Sequence, residues 1–499
     1  MNRAGCWGPP QRPTRWAGVA GAAAPARGAG QRPVCSRLQT AGGDHGAILC
    51  RQRLAECGGR LRVSGAQAEP AAARRKGVRK EGAQLRQATL WARLLGLKNT
   101  IVRHVDIEGE GPDAMLVVDV RPRQKASHRC GICHRKSPGY DQGEGVRRWR
   151  HLDFGAQQVY LRAAAPRVSC PRHGVVTAAV PWARHDARHT LPFDDQVAWL
   201  ATHTSKSAVR DLMRIAWETV GAIATRVVDD ARAATDPFAG LRRIGIDEVS
   251  YKRGQYYLST VVDHDSGRVV WCAPGRDEAT LAKFFALVGE ERCRDITLVS
   301  ADAGSWIARA VAKHCPNAKL CMDPFHVVSW ATDAMDDVRL DVWNQARRDG
   351  QQAVATELKG ARWTLWRNPE DLNAKQQARL ADIARSNKPL YRAYLLKEQL
   401  RQVFQLPHDQ AMELLNRWLS WAKRCRLRPF VKLAKTVTAH RADISAAIAH
   451  KLSNARLESV NTKVRLITRV AFGFRSPAAL INLVLLSLGG YCPPLPGRA

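Results

Sequence analysis

Residues 244–263 read IGIDEVSYKRGQYYLSTVVD, and the fold turns on the Asp247-Glu248 pair at the end of the first apolar run. Ile244, Ile246 and the β-branched Thr260, Val261 and Val262 suit strands. Two adjacent carboxylates at a strand end repel each other and cost desolvation if buried without partners, so they need a purpose. KRG and HDSG turns join RRIGIDEVS, GQYYLSTVVD and GRVVWCA, which predicts a three-stranded antiparallel meander. DEATLAKFFALVGEE then reads as a helix, DITLVSAD as a buried strand, SWIARAVAKHC as a helix and AKLCMD as a strand. That order implies an α/β layer with a mixed sheet.

Asp247 closes the first strand of this series and Asp302 closes ITLVSAD. If those strands are parallel neighbours, a spacing of roughly 5 Å brings the two acids together. Divalent cations would then offset the repulsion, and hard oxygen ligands select magnesium or manganese. A third acid comes from SNARLESVNTKVRLITRVAFGF, read as one long helix. Leu457, Val460, Val464 and Ile467 form its apolar stripe, and Asn454, Glu458, Asn461 and Arg465 line another face. Glu458 is the acid placed to look over the strand tips. For any one acid alone, a solvated surface charge is the competing reading. Glu248, next to Asp247 on a strand, is expected to face the other way.

Upstream, Cys130-x2-Cys133 and Cys170-x2-His173 are separated by 36 residues rich in strand pattern. Two short knuckles supplying four N/S ligands suit one tetrahedral zinc, a zinc ribbon; His128 and His134 are alternative fourth ligands. Arg147, Arg148, Arg150 and Arg162 between the knuckles suit DNA phosphates. From Leu191, three short helices with apolar stripes at Val197/Leu200/Ala201, Val209/Leu212/Met213 and Val220/Ile223/Val227 resemble a helix-turn-helix broken at Ile215-Ala216-Trp217. Helices holding Trp330, Trp343, Trp363, Trp366, Trp418 and Trp421 follow, and core packing is the expected role of these indoles.

Composition agrees with a polyanionic partner. The 78 Lys and Arg against 45 Asp and Glu give a formal charge of +33 over 499 residues. Residues 1–88 hold 16 basic and four acidic residues, so about +21 remains on the rest. That segment, rich in Ala, Gly, Arg and Pro, lacks helix or strand periodicity and is expected to be disordered or a spurious extension. No apolar run reaches the roughly 20 residues of a membrane span. The 13 cysteines come without a secretory signal, so a reducing, cytoplasmic setting is expected.

GIDEVSYKRG, SADAGSWIARAVAKHCPNAKLCMDPFHVV, WLSWAKRCRLRPFVKL and SNARLESVNTKVRLITRVAFGF resemble the motifs of bacterial insertion-sequence transposases of the ISL-three type. The resemblance runs from about residue 90 to the C-terminus. It implies a DDE site on an RNase H-like fold, with the triad at Asp247, Asp302 and Glu458 and a helical insertion within the 155 residues between the last two. The Asp323-Pro324-Phe325-His326 stretch carries proline where the family often has a basic residue, and Asp323 and His326 are accessory candidates. The implied domains are an extension (1–88), a zinc ribbon (89–185), a helix-turn-helix (186–236), the first part of the catalytic core (237–326), an all-helical insertion (327–450) and the C-terminal core helices (451–499). The implied chemistry is cleavage and strand transfer at element ends in double-stranded DNA. It would use two magnesium or manganese ions and one structural zinc, in a homodimer or higher oligomer. Lys252, Arg253, Lys463 and Arg465 are candidates for holding phosphates near the site. A DNA-binding regulator without catalysis and a nuclease without strand transfer are the alternatives; neither an intact triad nor strand-transfer machinery is required of them, respectively.

Overall fold

The computed structural model describes residues 81–498, so the expectation for the N-terminal extension lies outside the described residues as far as residue 80. Helix α1 (Glu81–Leu94) runs across the boundary expected at residue 88. It lies against β1 (Thr100–Glu108), and Ala88, Trp91 and Ala92 join that region's core. Among the described residues no helix is long and apolar enough to cross a membrane.

The expected zinc-ribbon region contains two sheets. β1, β2 (Met115–Pro122), β4 (Val146–Phe154) and β5 (Gln157–Ala164) form a sheet in the order β1-β2-β5-β4, cored by Val118, Trp149, Val159, Leu161 and Trp182. The short strands β3 (Gly139–Asp141), β6 (Arg167–Cys170) and β7 (Gly174–Thr177) form a separate ribbon beside it. Only this ribbon carries the cysteine knuckles. A three-stranded sheet this small buries too little apolar surface to be stable alone.

Three helices follow: α2 (Leu191–His203), α3 (Lys206–Met213) and α4 (Trp217–Ala234). Ser205 caps α3 by accepting from the Ala208 N–H, and Arg214, in the left-handed region at φ 53°, ends it. Val197, Val209, Val220, Ile223 and Val227 are buried, as their helical spacing requires. This core is not self-contained. It is continuous with Val249, Leu258 and Val262 of the next sheet and with the C-terminal helices, so the helix-turn-helix is packed onto the following domain.

The third sheet has the order β10-β9-β8-β11-β12. β8 (Arg243–Lys252), β9 (Tyr256–Asp263) and β10 (Val269–Pro274) form the expected antiparallel meander. β11 (Leu298–Ala301) and β12 (Lys319–Met322) extend it in parallel with β8, through crossovers formed by α5 (Glu278–Val288), α6 (Glu290–Asp295) and α7 (Ser305–His314). Residues alternate between its faces. Ile244, Ile246 and Val261 pack with Leu281, Phe284, Ile307 and Val311 on one side, while Val249, Leu258 and Val262 pack with α15 (Ala455–Val470) and α16 (Pro477–Leu488) on the other. Each fully buried side chain of this kind contributes roughly 1.5–3 kcal/mol, enough for the sheet to carry several uncompensated acids at its edge.

Between β12 and α15 lies an all-helical insertion: α8 (Pro324–Arg348), α9 (Gln352–Leu365), α10 (Ala374–Ser386), α11 (Lys388–Val403), α12 (His408–Arg424), α13 (Arg428–Ala439) and α14 (Arg441–His450). α8 starts at Pro324, inside the segment expected to belong to the catalytic core. Trp418 is wholly buried, and its indole N–H donates to the Leu396 carbonyl at 2.8 Å. Two indoles depart from the expected core role. Trp363 and Trp366 are exposed and meet edge to face, with the Arg362 guanidinium 3.9 Å from the Trp366 ring centre.

Candidate active site

Pairing between β8 and β11 runs in register from Leu298↔Arg243 to Ala301↔Ile246 and stops there. Asp247 and Asp302 are the next residues on their strands, so parallel register delivers two carboxylates to the same level at the sheet edge. Asp247, Glu248 and Asp302 each offer an oxygen within 4.8 Å of the others. Burial, reinforced by the Asp302 charge, pushes the Asp247 carboxyl up to about 7. Burial likewise raises Glu248, opposed by Arg276, whose Nε lies 3.5 Å from Glu248 Oε1.

Glu248 does not face away, as strict alternation requires. Beyond Ile246 strand β8 has no partner on the β11 side, so the edge is open and a glutamate side chain reaches around it toward Asp302. Asp247 also bends back, its Oδ1 accepting from the Glu248 N–H at 2.7 Å.

Helix α15 packs against this edge through a notch. A Cβ on Gly245 would sit 2.2 Å from Leu457 Cδ1 and 2.8 Å from His264 Nε2, so only glycine lets the helix approach this closely. Docked there, α15 offers Asn461 Nδ2 to Asp247 Oδ2 at 2.6 Å and Asn454 Nδ2 to Asp302 Oδ1 at 3.3 Å. The Asn454 backbone N–H donates to Asp323 Oδ1 at 3.0 Å. Glu458 lies on the same helical face between these two asparagines. It is exposed and belongs to neither carboxylate cluster within ligand reach among the described residues. The second cluster consists of Asp302, Asp323 and His326. The asparagines and Gly245 were not assigned to the acids from sequence; the signals were the spacing of Asn454 and Asn461 around Glu458 and the glycine two residues before Asp247.

The donor set fits hard divalent cations. Partly buried carboxylates converge at one edge, and the side-chain oxygens of Asn454 and Asn461, each 5% exposed, have no hydrogen-bond partner. In the ribbon, Cys130 Sγ and His173 Nδ1 are 3.6 Å apart, Cys133 and Cys170 Sγ 3.7 Å, and Cys170 Sγ and His173 Nδ1 3.7 Å. A tetrahedral ion with zinc–sulfur bonds of about 2.3 Å and a zinc–nitrogen bond of about 2.0 Å has ligand edges of roughly 3.5–3.8 Å, so these four side chains fit zinc. His128 and His134, the alternatives, are not in the cluster. Backbone N–H donation from Arg172 helps lower the Cys170 thiol to about 6, which favours the thiolate a metal takes.

The predicted phosphate ligands divide. Arg147 and Arg148 are paired with Glu144 and Glu108 at 2.6 and 2.8 Å, and Arg162 is held by Asp119 and Glu108. Arg150 is a correction: it is 5% exposed, paired with Asp153 at 2.5 Å and lies against the Tyr160 and Phe193 rings, so it holds the module together and cannot meet a phosphate. Lys252, Arg253, Lys463 and Arg465 are exposed.

Three family models match in chain order: the zinc finger of transposases IS204/IS1001/IS1096/IS1165 over residues 126–173, the helix-turn-helix domain of transposase family ISL3 over 178–228, and the ISL3 DDE transposase domain over 244–484. The transposase for insertion sequence element IS1557 of Mycobacterium tuberculosis is 53% identical over 436 residues, covering 83% of this chain and 98% of the relative. The transposase for IS1001 of Bordetella parapertussis is 26% identical over 376 residues, covering 73% and 90%. With its zinc-finger, helix-turn-helix and acid-bearing segments all matched, the chain belongs to the ISL3 family of insertion-sequence DDE transposases.

Proposed function

We propose that Asp247, Asp302 and Glu458 are the catalytic carboxylates of an RNase H-like core that cuts element ends and joins them to target DNA. The sheet order, three antiparallel strands followed by two parallel ones, supports the RNase H-like assignment. The observation that carries the reading is the register Ala301↔Ile246, which makes Asp247 and Asp302 neighbours at the open edge.

Asp247 and Asp302 would hold divalent cations, with Glu458 completing the set from α15. Bound there, the cations would activate water, and then a 3′-hydroxyl, for in-line attack on a phosphodiester. The protein's own residues do the placing. Asn461 orients Asp247, Asn454 orients Asp302, and the Asn454 backbone N–H at the start of α15 donates to Asp323. Lys252, Arg253, Lys463 and Arg465 steady backbone phosphates on either side. Zinc held by Cys130, Cys133, Cys170 and His173 braces the ribbon, which with α2–α4 reads the element end. Synapsis of two ends calls for a dimer or higher oligomer acting on double-stranded DNA in the bacterial cytoplasm.

The test uses labelled element ends with Mg²⁺. Asp247→Asn and Asp302→Asn each abolish cleavage and strand transfer while end binding stays within about threefold, since neither acid belongs to the end-reading modules. Wild-type rates from either variant refute the assignment.

A further inference from the structure

No Asp or Glu follows Glu458 in the sequence. Over the same stretch Lys463, Arg465, Arg469 and Arg475 are all exposed. Glu458, Thr462, Arg465 and Arg469 recur at helical spacing and are exposed, so they share one outward face of α15. That face is a basic track leading away from the acidic edge.

At the far end of the track α15 closes in a way that folding does not explain. The Gly473 N–H donates to the Thr468 carbonyl at 2.9 Å and the Phe472 N–H to the Arg469 carbonyl at 3.0 Å. This is the Schellman pattern, and it puts Phe472 at the left-handed position after the helix, with φ 53°. Glycine is the usual residue there because a side chain at positive φ is strained, yet the glycine of this loop stands one place further on. The Phe472 ring is 99% exposed, so no burial offsets the strain. Leu466 and Val470, on the last turns of α15, are exposed too, whereas Phe474 packs against the core and anchors the loop. A large apolar ring held out in water on a strained backbone costs stability twice, and such outliers cluster where they serve a function.

We propose that Phe472 is a wedge that enters the base stack of the element-end duplex while Arg465 and Arg469 hold its backbone, opening the end so that the strand to be cut can reach the acids. This rests on the reading of the acidic edge given above. The occupant must offer phosphates to an acid-free row of cations and, beside them, an apolar slot for a ring; a duplex whose base steps can be parted offers both. Phe472 stands eleven residues past Asn461, which touches Asp247. At a helical rise of about 1.5 Å per residue that is roughly 16 Å, or about five base-pair steps from the cut.

The test uses the full chain with its zinc retained and element-end duplexes in which a fluorescent adenine analogue, bright only when unstacked, replaces one base at a time around the cut. Without added divalent cation, the wild type is expected to brighten the analogue at one step about five base pairs from the cut. Phe472→Gly should abolish that signal and keep end affinity within about threefold, with a melting temperature unchanged or higher because glycine suits the left-handed position. With Mg²⁺ it should cleave roughly tenfold more slowly, and an end already mismatched at the bright step should restore the wild-type rate. A loop that merely braces α15 gives no such rescue. Brightening that survives in Phe472→Gly, or none at any step with the wild type, overturns the wedge. So does a DNA-free dimer that Phe472→Gly dissociates, which would assign the ring to a second copy of the chain. Wild-type cleavage by both Asp247→Asn and Asp302→Asn would sink the catalytic reading while leaving the stacking signal in place.

Discussion

The molecule contains two preassembled ligand sets, built on opposite principles. The ribbon's thiolates and imidazole come as two local pairs, each set by a turn of a few residues, and their 3.6–3.7 Å edges already match a closed tetrahedron. The carboxylates come from β8, the end of β11 and the start of α8, with asparagines from α15 against them, and they stay partly uncompensated, with Asp247 raised to about 7 and two buried asparagine oxygens without partners. A zinc ion held by the first set would stabilise a sheet too small to stand alone. The second is an open edge that a larger fold supports, the arrangement that a site with room for substrate would need.

This contrast can be broken most sharply at Glu458. If the acidic edge is the working site, Glu458→Gln should lower both cleavage and strand transfer about 10³-fold with end binding retained. Near-normal strand transfer would mean that the third acid is elsewhere, with Glu248 next in line because its carboxylate lies in the Asp247 cluster. Cys133→Ser should have its effect on the other side of the comparison. Losing a ligand removes binding energy that is also folding energy, so end affinity should fall roughly 100-fold and the zinc content should drop, while the main thermal transition of the catalytic sheet persists. A variant that keeps full end affinity without zinc would show that the ribbon does not need its metal.

A smaller effect is expected where α15 meets the sheet. Gly245→Ala puts a methyl where Leu457 now sits, so the helix must retreat from the acids. Misplacement of this kind should slow cleavage on the order of 10- to 100-fold, with end binding unchanged. An alanine variant cleaving at the wild-type rate would show that the notch is only packing. The remaining effect is on stability. The Asp247 proton is held more tightly in the folded protein, with a folded pKa of about 7 against an ordinary 3.8. Its charge therefore destabilises the metal-free fold progressively as pH rises from about 4 to about 7. Asp247→Asn should be more stable than wild type at pH 8 by roughly 2–4 kcal/mol, and the advantage should vanish by pH 4. Thermal melts at both pH values, without divalent cations, measure it; equal stability at pH 8 would show that the edge is not strained.

Local chemistry made much of this protein legible from its residues. The knuckle spacing, the meander turns and the apolar stripes of α4 and α15 all depend on neighbours within a few positions, and the structure contains each of them. The proximity of Asp247 and Asp302 was conditional on a parallel register that no local pattern encodes. Three features were decided only by tertiary packing. Arg150 looked like its basic neighbours but is enclosed by aromatic rings from two elements. Glu248 broke strand alternation because β11 ends one residue too early to hold the edge closed. Asn454 and Asn461 met their acids across more than 150 residues of chain, through the Gly245 notch. Short-range periodicity and turn chemistry are written into consecutive residues, whereas burial, edge pairing and contacts across the insertion exist only once distant segments have packed against each other.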